Sequence, residues 1–229
     1  MKSNIRNITL GALLGLAVSV NAGQVTVDPI APWQGFMNVF EIPAHGGGYV
    51  FGSGWGTADL NATFSGATLT LTPNTIGDPS SFWYTPSGGP GATGNKIMDA
   101  NMYVESGTLS GQLLTFTGEV LNNTLVSPYT SVAFIKDFAP DYSSFFAMTA
   151  PLLPGVFSVS LATDGGAGRH VQYGFETIGP DVWVTDVAAM GRVQLTAVPE
   201  PQTWAMSAVV LMGVAGYVSR RHAAARRAT

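Results

Sequence analysis

Few side chains in this sequence are typical of catalysis. The chain contains three histidines and no cysteine, which excludes thiol nucleophiles, disulfides and thiolate metal sites. His45 lies in a Gly-rich turn, His170 opens a predicted strand after Arg169, and His222 lies in an Arg-rich terminus. The Gly-x-Ser-x-Gly turn that presents a serine nucleophile is absent. We interpret His45 and His170 as solvated loop histidines and assign no catalytic residue.

Two carboxylates, Asp137 and Asp141, flank a segment that is expected to turn at Pro140. Two carboxylates about 5–10 Å apart can hydrolyse a glycosidic bond, and clustered carboxylates can also bind Ca²⁺. No calcium-binding motif accompanies this pair. We therefore interpret both as solvated loop acids and assign no cofactor, leaving a structural Ca²⁺ site and a glycan-cleaving pair as alternatives.

Aromatic residues near turns are the more informative feature. Trp55 lies between glycines, Trp83 and Tyr84 precede Pro86, and Tyr142 follows an aspartate. An exposed ring offers a flat apolar face to the C–H side of a sugar, and neighbouring polar groups can bond its hydroxyls. The alternative is that such rings fill the core, where aromatic side chains bury large areas. We take Trp55, Trp83, Tyr84 and Tyr142 as ligand-binding candidates and expect core packing for Trp183.

The elements that must position these residues are strands. Apolar and polar residues alternate with period two, which predicts strands with one buried face. The alternating segments are 68–72, 114–120, 157–161, 171–176 and 193–197. Turn residues separate them, at 46–48, 73–74, 88–91, 164–166 and 179–181. No sustained helical period and no internal repeat occur over residues 23–197, so we predict an all-β fold, an antiparallel β-sandwich.

Both ends of the chain differ from this middle segment. Lys2 and Arg6 precede an apolar stretch over 8–20, and Val20-Asn21-Ala22 offers the small residues that signal peptidase requires. This pattern predicts a signal peptide over 1–22, cleaved before Gly23.

The C-terminal segment, 198–229, has three parts in order. Val198 to Pro201 is a rigid extended tetrapeptide, residues 204–219 form an apolar run, and 220–229 form a basic tail. The basic residues are Arg220, Arg221, Arg226 and Arg227. Cations beyond an apolar run hold that end in the cytoplasm. The run predicts a single short transmembrane helix that acts as a temporary anchor.

This arrangement resembles the PEP-CTERM sorting signal of Gram-negative bacteria, on Pro199, Glu200 and Pro201, the apolar helix and the Arg cluster. The resemblance covers about the last 30 residues. It implies that an exosortase in the inner membrane recognises and removes the tail. It further implies that the body reaches the cell surface or the exopolysaccharide matrix.

The body carries a second resemblance, to jelly-roll carbohydrate-binding modules of the galactose-binding-like kind. The matching segments are 118–120, Tyr129, 133–138 and 154–157, with 171–175 and 182–187 as a closing hairpin. Thr185-Asp186 stands where those domains often have an Asp-Asp or Asp-Asn pair. The resemblance implies a jelly-roll sandwich and leaves the ligand open.

The net charge of the middle segment limits the partners that the protein can bind. Residues 23–197 contain four cationic and 13 acidic side chains, which gives a formal charge of −9. This negative charge opposes binding of nucleic acid. The sequence thus predicts an exported surface or matrix protein that is not an enzyme and binds glycan or exopolysaccharide. A purely structural matrix component is the alternative, followed by a glycan-cleaving enzyme.

Overall fold

The computed structural model describes residues 22–198. Most of the predicted signal peptide, the Pro-Glu-Pro motif, the predicted helix over 204–219 and the Arg tail therefore lie outside the described residues. No helix in the described part is long and apolar enough to cross a membrane. Its strands are β1 (Ala22–Thr26), β2 (Gln34–Glu41), β3 (Tyr49–Trp55), β4 (Ala62–Ser65), β5 (Thr68–Leu71), β6 (Tyr84–Thr85), β7 (Thr93–Gly94), β8 (Lys96–Glu105), β9 (Leu113–Asn123), β10 (Thr130–Phe138), β11 (Phe145–Pro151), β12 (Gly155–Ala162), β13 (His170–Pro180) and β14 (Val193–Thr196).

Two six-stranded sheets account for twelve of these strands. Sheet 1 has the order β1-β9-β14-β5-β4, with β12 also pairing with β9. Sheet 2 has the order β11-β10-β13-β8-β2-β3, and β6 and β7 form a separate hairpin. The pairing of β1 with β9 is parallel, whereas the other strand pairs are antiparallel. The prediction of an all-β, sandwich-like body is confirmed.

Strand β9 organises sheet 1 because it pairs along both of its edges. β12 runs along one edge, opposite residues 113–120. On the other edge β1 pairs with 113–117 and β14 pairs with 119–123. The first and last strands of the described chain thus lie end to end against the same neighbour.

The core lies between the sheets and follows the alternation of the sequence. Sheet 2 contributes Met37, Met98 and Phe175, and sheet 1 contributes Leu69 and Phe116, all of them almost completely buried. The rings of Phe116 and Phe175 are 5.3 Å apart. Each such side chain contributes about 1.5–3 kcal/mol through burial, so the core fixes which face of each strand points outward.

Two sequence predictions near the end of the described residues, at 179–180 and at 182–187, were wrong. Residues 179 and 180, predicted to turn, complete β13, since Ile97 and Met98 of β8 extend the ladder to them. Residues 182–187, predicted as a strand of the closing hairpin, form one isolated bridge, a turn and the start of a 3₁₀ helix (Val187–Met190). Trp183 is half-buried there and packs edge-on against Tyr84 rather than within a strand.

Candidate functional site

The outer face of sheet 2 carries the densest group of polar and aromatic side chains in the described residues. On β8 the residues facing the core are apolar, so the alternate residues Asp99, Asn101, Tyr103 and Glu105 point outward. They line a groove of about 710 Å³ that crosses five strands of the sheet. The other lining residues are Phe36, Asn38, Lys136, Phe138, Tyr142, Phe145, Ala147, Thr149, Gln172 and Glu176.

One wall of the groove is aromatic. Phe138 ends β10, Tyr142 lies in the following turn, and Phe145 begins β11. The ring centroid of Phe138 lies 5.5 Å from that of Tyr142 and 4.9 Å from that of Phe145. Tyr142 is 49% exposed and Phe145 is 54% exposed. Two partly open rings therefore face the groove, supported from behind by a third.

The floor is a continuous chain of hydrogen bonds. Asp99 accepts from the amide of Asn38 at 3.1 Å and from the amide of Asn101 at 2.6 Å. The Lys136 ammonium donates to Asn101 Oδ1 at 2.7 Å and to Glu176 Oε2 at 2.8 Å. Burial, together with the charge of Glu176, raises the pKa of Asp99 above its usual range. These hydrogen bonds fix polar groups from four neighbouring strands, β2, β8, β13 and β10, at defined positions.

The rim near Tyr142 is fixed by a second cluster. The Tyr142 hydroxyl donates to Glu105 Oε1 at 2.9 Å, and His170 Nδ1 lies 2.9 Å from that hydroxyl and 3.0 Å from Glu105 Oε1. The tyrosine ring stacks on the imidazole, with centroids 4.2 Å apart. Gln172 donates to the other oxygen of Glu105 at 2.7 Å. Burial and the Glu105 carboxylate raise the pKa of Tyr142 to about 12, so its hydroxyl stays protonated.

Backbone geometry shows that the position of Tyr142 is enforced. Its φ of 57° lies in the left-handed region, which a bulky side chain rarely adopts and which costs of order 1 kcal/mol or more. The contacts to His170 and Glu105 offset that cost. His170 opens a strand, β13, as the sequence predicts, but its imidazole belongs to this cluster rather than being solvated in a loop. His45 lies exposed on a 3₁₀ turn, 3.7 Å from Glu41.

Of the four aromatic candidates from the sequence, the structure places only Tyr142 in the groove. Trp55 ends β3 and lines a separate open depression of about 520 Å³, with its indole N–H donating to Ser53 Oγ at 2.8 Å. Trp83 is half-buried and packs edge-on against Phe51 and Phe82. Tyr84 is completely buried, which leaves it no surface for a ligand.

Tyr84 has a structural role that its hydroxyl defines. The oxygen accepts the Ile76 N–H at 3.0 Å and lies within donating distance of the carbonyls of Ile76, 2.8 Å, and Val182, 3.2 Å. Replacing it with phenylalanine leaves these backbone groups unpaired. We expect Tyr84→Phe to lower the free energy of unfolding by about 1 kcal/mol, measured by urea unfolding. An equal loss in Tyr49→Phe, whose ring is exposed on β3, would contradict this assignment.

The two acids considered for a metal or for glycan cleavage do not converge. Asp137 is not a solvated loop acid: it lies on β10, is 1% exposed and pairs with Arg169 at 2.9 Å. Asp141 is exposed in the next turn, where the hydrogen bonds that it accepts from Ser143 lower its pKa. Within residues 22–198 no group of three His, Cys, Asp or Glu side chains is placed to hold a metal ion.

Most of the groove residues were not predicted from the sequence. Asn38, Asp99, Asn101, Lys136 and Glu176 were not identified, and neither were Tyr103, Glu105 and Gln172. A signal was present in the β8 segment Asp-Ala-Asn-Met-Tyr-Val-Glu, in which every second residue is acidic, amide or aromatic. Such a face on a strand is typical of a binding surface rather than of a plain solvent-exposed one.

No family model, curated protein or solved structure matches this chain significantly. The function therefore has to follow from the chemistry of the groove. Its open rings can stack on apolar faces, and its fixed amides, carboxylates and hydroxyls can exchange hydrogen bonds with a hydroxyl-rich ligand. The lining residues come from five neighbouring strands, so a ligand could contact the sheet at several points.

Proposed function

We propose that the protein is an exported, non-catalytic module, with a jelly-roll-like body that binds a polysaccharide chain in the groove of sheet 2. The observation that carries the proposal is the pairing of an open aromatic wall with a pre-formed polar floor. A sugar ring has apolar C–H faces and a hydroxyl rim, and the groove is complementary to both. Because the polar groups are already held by one another, little side-chain entropy is lost on binding.

The address signals predicted at the two termini support an extracellular role. On this proposal signal peptidase removes residues 1–22, and an exosortase processes the chain near Pro199-Glu200-Pro201. The short helix over 204–219 then anchors the protein in the inner membrane only before processing. The body is delivered to the cell surface or the exopolysaccharide matrix of a Gram-negative bacterium.

Binding is favoured over cleavage by the engagement of the groove carboxylates. Both oxygens of Asp99 accept amide hydrogens, and both oxygens of Glu105 also accept hydrogen bonds. Glu176 is paired with Lys136. A general acid or nucleophile must instead present an oxygen to the scissile bond. The carboxylates here orient amide and hydroxyl groups.

Truncating an open ring of the groove should weaken binding. We expect Phe145→Ala and Tyr142→Ala each to lower the affinity of the purified full-length protein for polysaccharide about tenfold, the loss typical of one anchor ring. Affinity electrophoresis in gels containing the host's own exopolysaccharide measures this.

Phe146→Ala is the matched control for that experiment. Phe146 follows Phe145 on β11, is 65% exposed and points to the opposite face of the sheet. Retention should not change in this variant. Equal losses in Phe145→Ala and Phe146→Ala, or no loss in either groove variant, would refute a site in the groove. Release of new reducing ends during the assay would favour a glycan-cleaving enzyme.

A structural role in the matrix is the second candidate, and the edge strands favour it. β11 and β12 each pair with only one neighbour, and both carry exposed apolar side chains. These are Phe146, Met148 and Val156, with Leu153 between the strands. Such edges can support assembly of several copies. Concentration-dependent association in sedimentation without sugar, combined with failure to bind polysaccharide, would favour this role.

A further inference from the structure

The groove contains an excess of negative charge. Three carboxylates, Asp99, Glu105 and Glu176, line it together with a single ammonium group, that of Lys136. The ammonium lies 2.8 Å from Glu176 and is only 15% exposed, so its charge is already compensated. No cation that lines the described groove is left to receive an acidic sugar.

The charged residues elsewhere in the described body add to the negative charge of the groove. Residues 22–198 hold 13 acids and four cations, and three of those cations form ion pairs. Lys96 pairs with Glu41, Lys136 with Glu176, and Arg169 with Asp137. The potential around the groove is therefore negative at neutral pH, and a polyanion is repelled on approach as well as at contact.

We propose that the groove selects an uncharged polysaccharide and excludes polymers that carry carboxylate, sulfate or phosphate groups. This inference deepens the proposed function and rests on it. The groups that face the ligand are the amides of Asn38 and Gln172 and the hydroxyls of Tyr103 and Tyr142, which can pair with neutral hydroxyl or amide groups. An acidic sugar would place its anion among three carboxylates without gaining a cationic partner.

An ammonium-bearing polymer gains less binding free energy than the negative charge of the groove suggests. The oxygens of Asp99 and Glu105 already accept hydrogen bonds from neighbouring side chains, and Glu176 is paired with Lys136. A cationic chain is therefore attracted only through the overall field, which salt screens. An uncharged chain binds through contacts that salt does not weaken.

Affinity electrophoresis of the full-length protein against three polymers tests this selectivity. The probes are an uncharged β-glucan, alginate as a polyuronate, and glycol chitosan as a polyamine, each at 0.05 and 0.5 M salt. We expect equal retention by β-glucan at both salt concentrations and none by alginate at either. Retention by glycol chitosan should fall at least tenfold at the higher salt concentration.

Glu176→Gln supplies the sharpest comparison, because it leaves Lys136 without its carboxylate and adds a free cation to the groove. This variant should gain retention by alginate at low salt. Glu119→Gln on β9 of sheet 1 makes the same change in net charge outside the groove and should gain none.

Retention of alginate by the unaltered protein as strong as that of β-glucan would overturn the inference and leave polysaccharide binding intact. Equal effects of Glu176→Gln and Glu119→Gln would also overturn it. Absence of retention by every polymer, including the host's own exopolysaccharide, would instead reject the proposed function itself.

Discussion

Asp137→Ala is expected to lower the free energy of unfolding by about 3–5 kcal/mol, the loss typical of removing one partner of a buried ion pair. Asp137 Oδ1 accepts from Arg169 Nε at 2.9 Å, and Asp137 Oδ2 accepts the Asp164 N–H at 2.7 Å. Arg169 also donates to the Asp137 carbonyl oxygen at 2.9 Å. The substitution leaves the buried guanidinium with only the exposed Asp164 carboxylate, 3.8 Å away, as counter-charge.

Two further variants separate this explanation from a general sensitivity of the region. Asp141→Ala, four residues away and exposed, should change the free energy of unfolding by less than about 0.5 kcal/mol. Asp137→Leu combined with Arg169→Met removes both charges and should cost less than Asp137→Ala alone. Guanidinium unfolding curves measure all three. If Asp137→Ala lowers the free energy of unfolding by less than about 1 kcal/mol, the ion pair does not hold the loop before β13.

Stability should also depend on pH through Asp181. Burial raises the pKa of this carboxyl from 3.8 to about 6. One oxygen accepts the Lys96 N–H at 3.0 Å, and the other has no hydrogen-bond partner among the described residues. Because the folded pKa exceeds the unfolded one, the native state binds the proton more tightly. The contribution of Asp181 to stability is therefore largest below pH 4 and is lost as the pH rises through 6.

Asp181→Asn should remove this dependence. Asparagine keeps an acceptor for Lys96 and never ionises, so we expect a gain of about 3 kcal/mol at pH 8 and little change at pH 4, since one pKa unit corresponds to about 1.4 kcal/mol. Thermal unfolding across this pH range is the measurement. Asp59→Asn, which alters an exposed carboxylate, is the control and should shift stability equally at both pH values. A variant that is less stable than the parent at pH 8 would show that Asp181 functions as an ionised group.

The sequence predicted the strands well where one face of a strand is polar. Residues 68–71 and 157–161 alternate cleanly, and both became strands of sheet 1 with one buried face. It failed near Pro180, because turn propensity is a local property whereas β8 supplies a long-range partner. It failed again at 182–187, where alternation is present but only one bridge to Thr75 forms.

The groove was hard to predict for a different physical reason. Proximity to a glycine or proline turn predicts exposure, yet Tyr84 is enclosed by contacts from residues 76 and 182. Conversely, Asp99 and Glu176 come from strands far apart in sequence, and only the pairing of β8 with β13 brings them onto one surface. Tyr142 was identified because it lies in a turn that borders the groove.

The end-to-end placement of β1 and β14 along β9 puts both ends of the described chain on sheet 1, the sheet that does not carry the groove. The described chain leaves sheet 1 just beyond Thr196, which pairs with Glu119 near the middle of β9. The groove lies on the outward face of the other sheet. A linkage made through the segment that follows residue 198 would therefore hold the molecule on the side of sheet 1, opposite the groove. On the proposed function, the groove would then face away from the point of attachment and remain open to polysaccharide chains outside the cell.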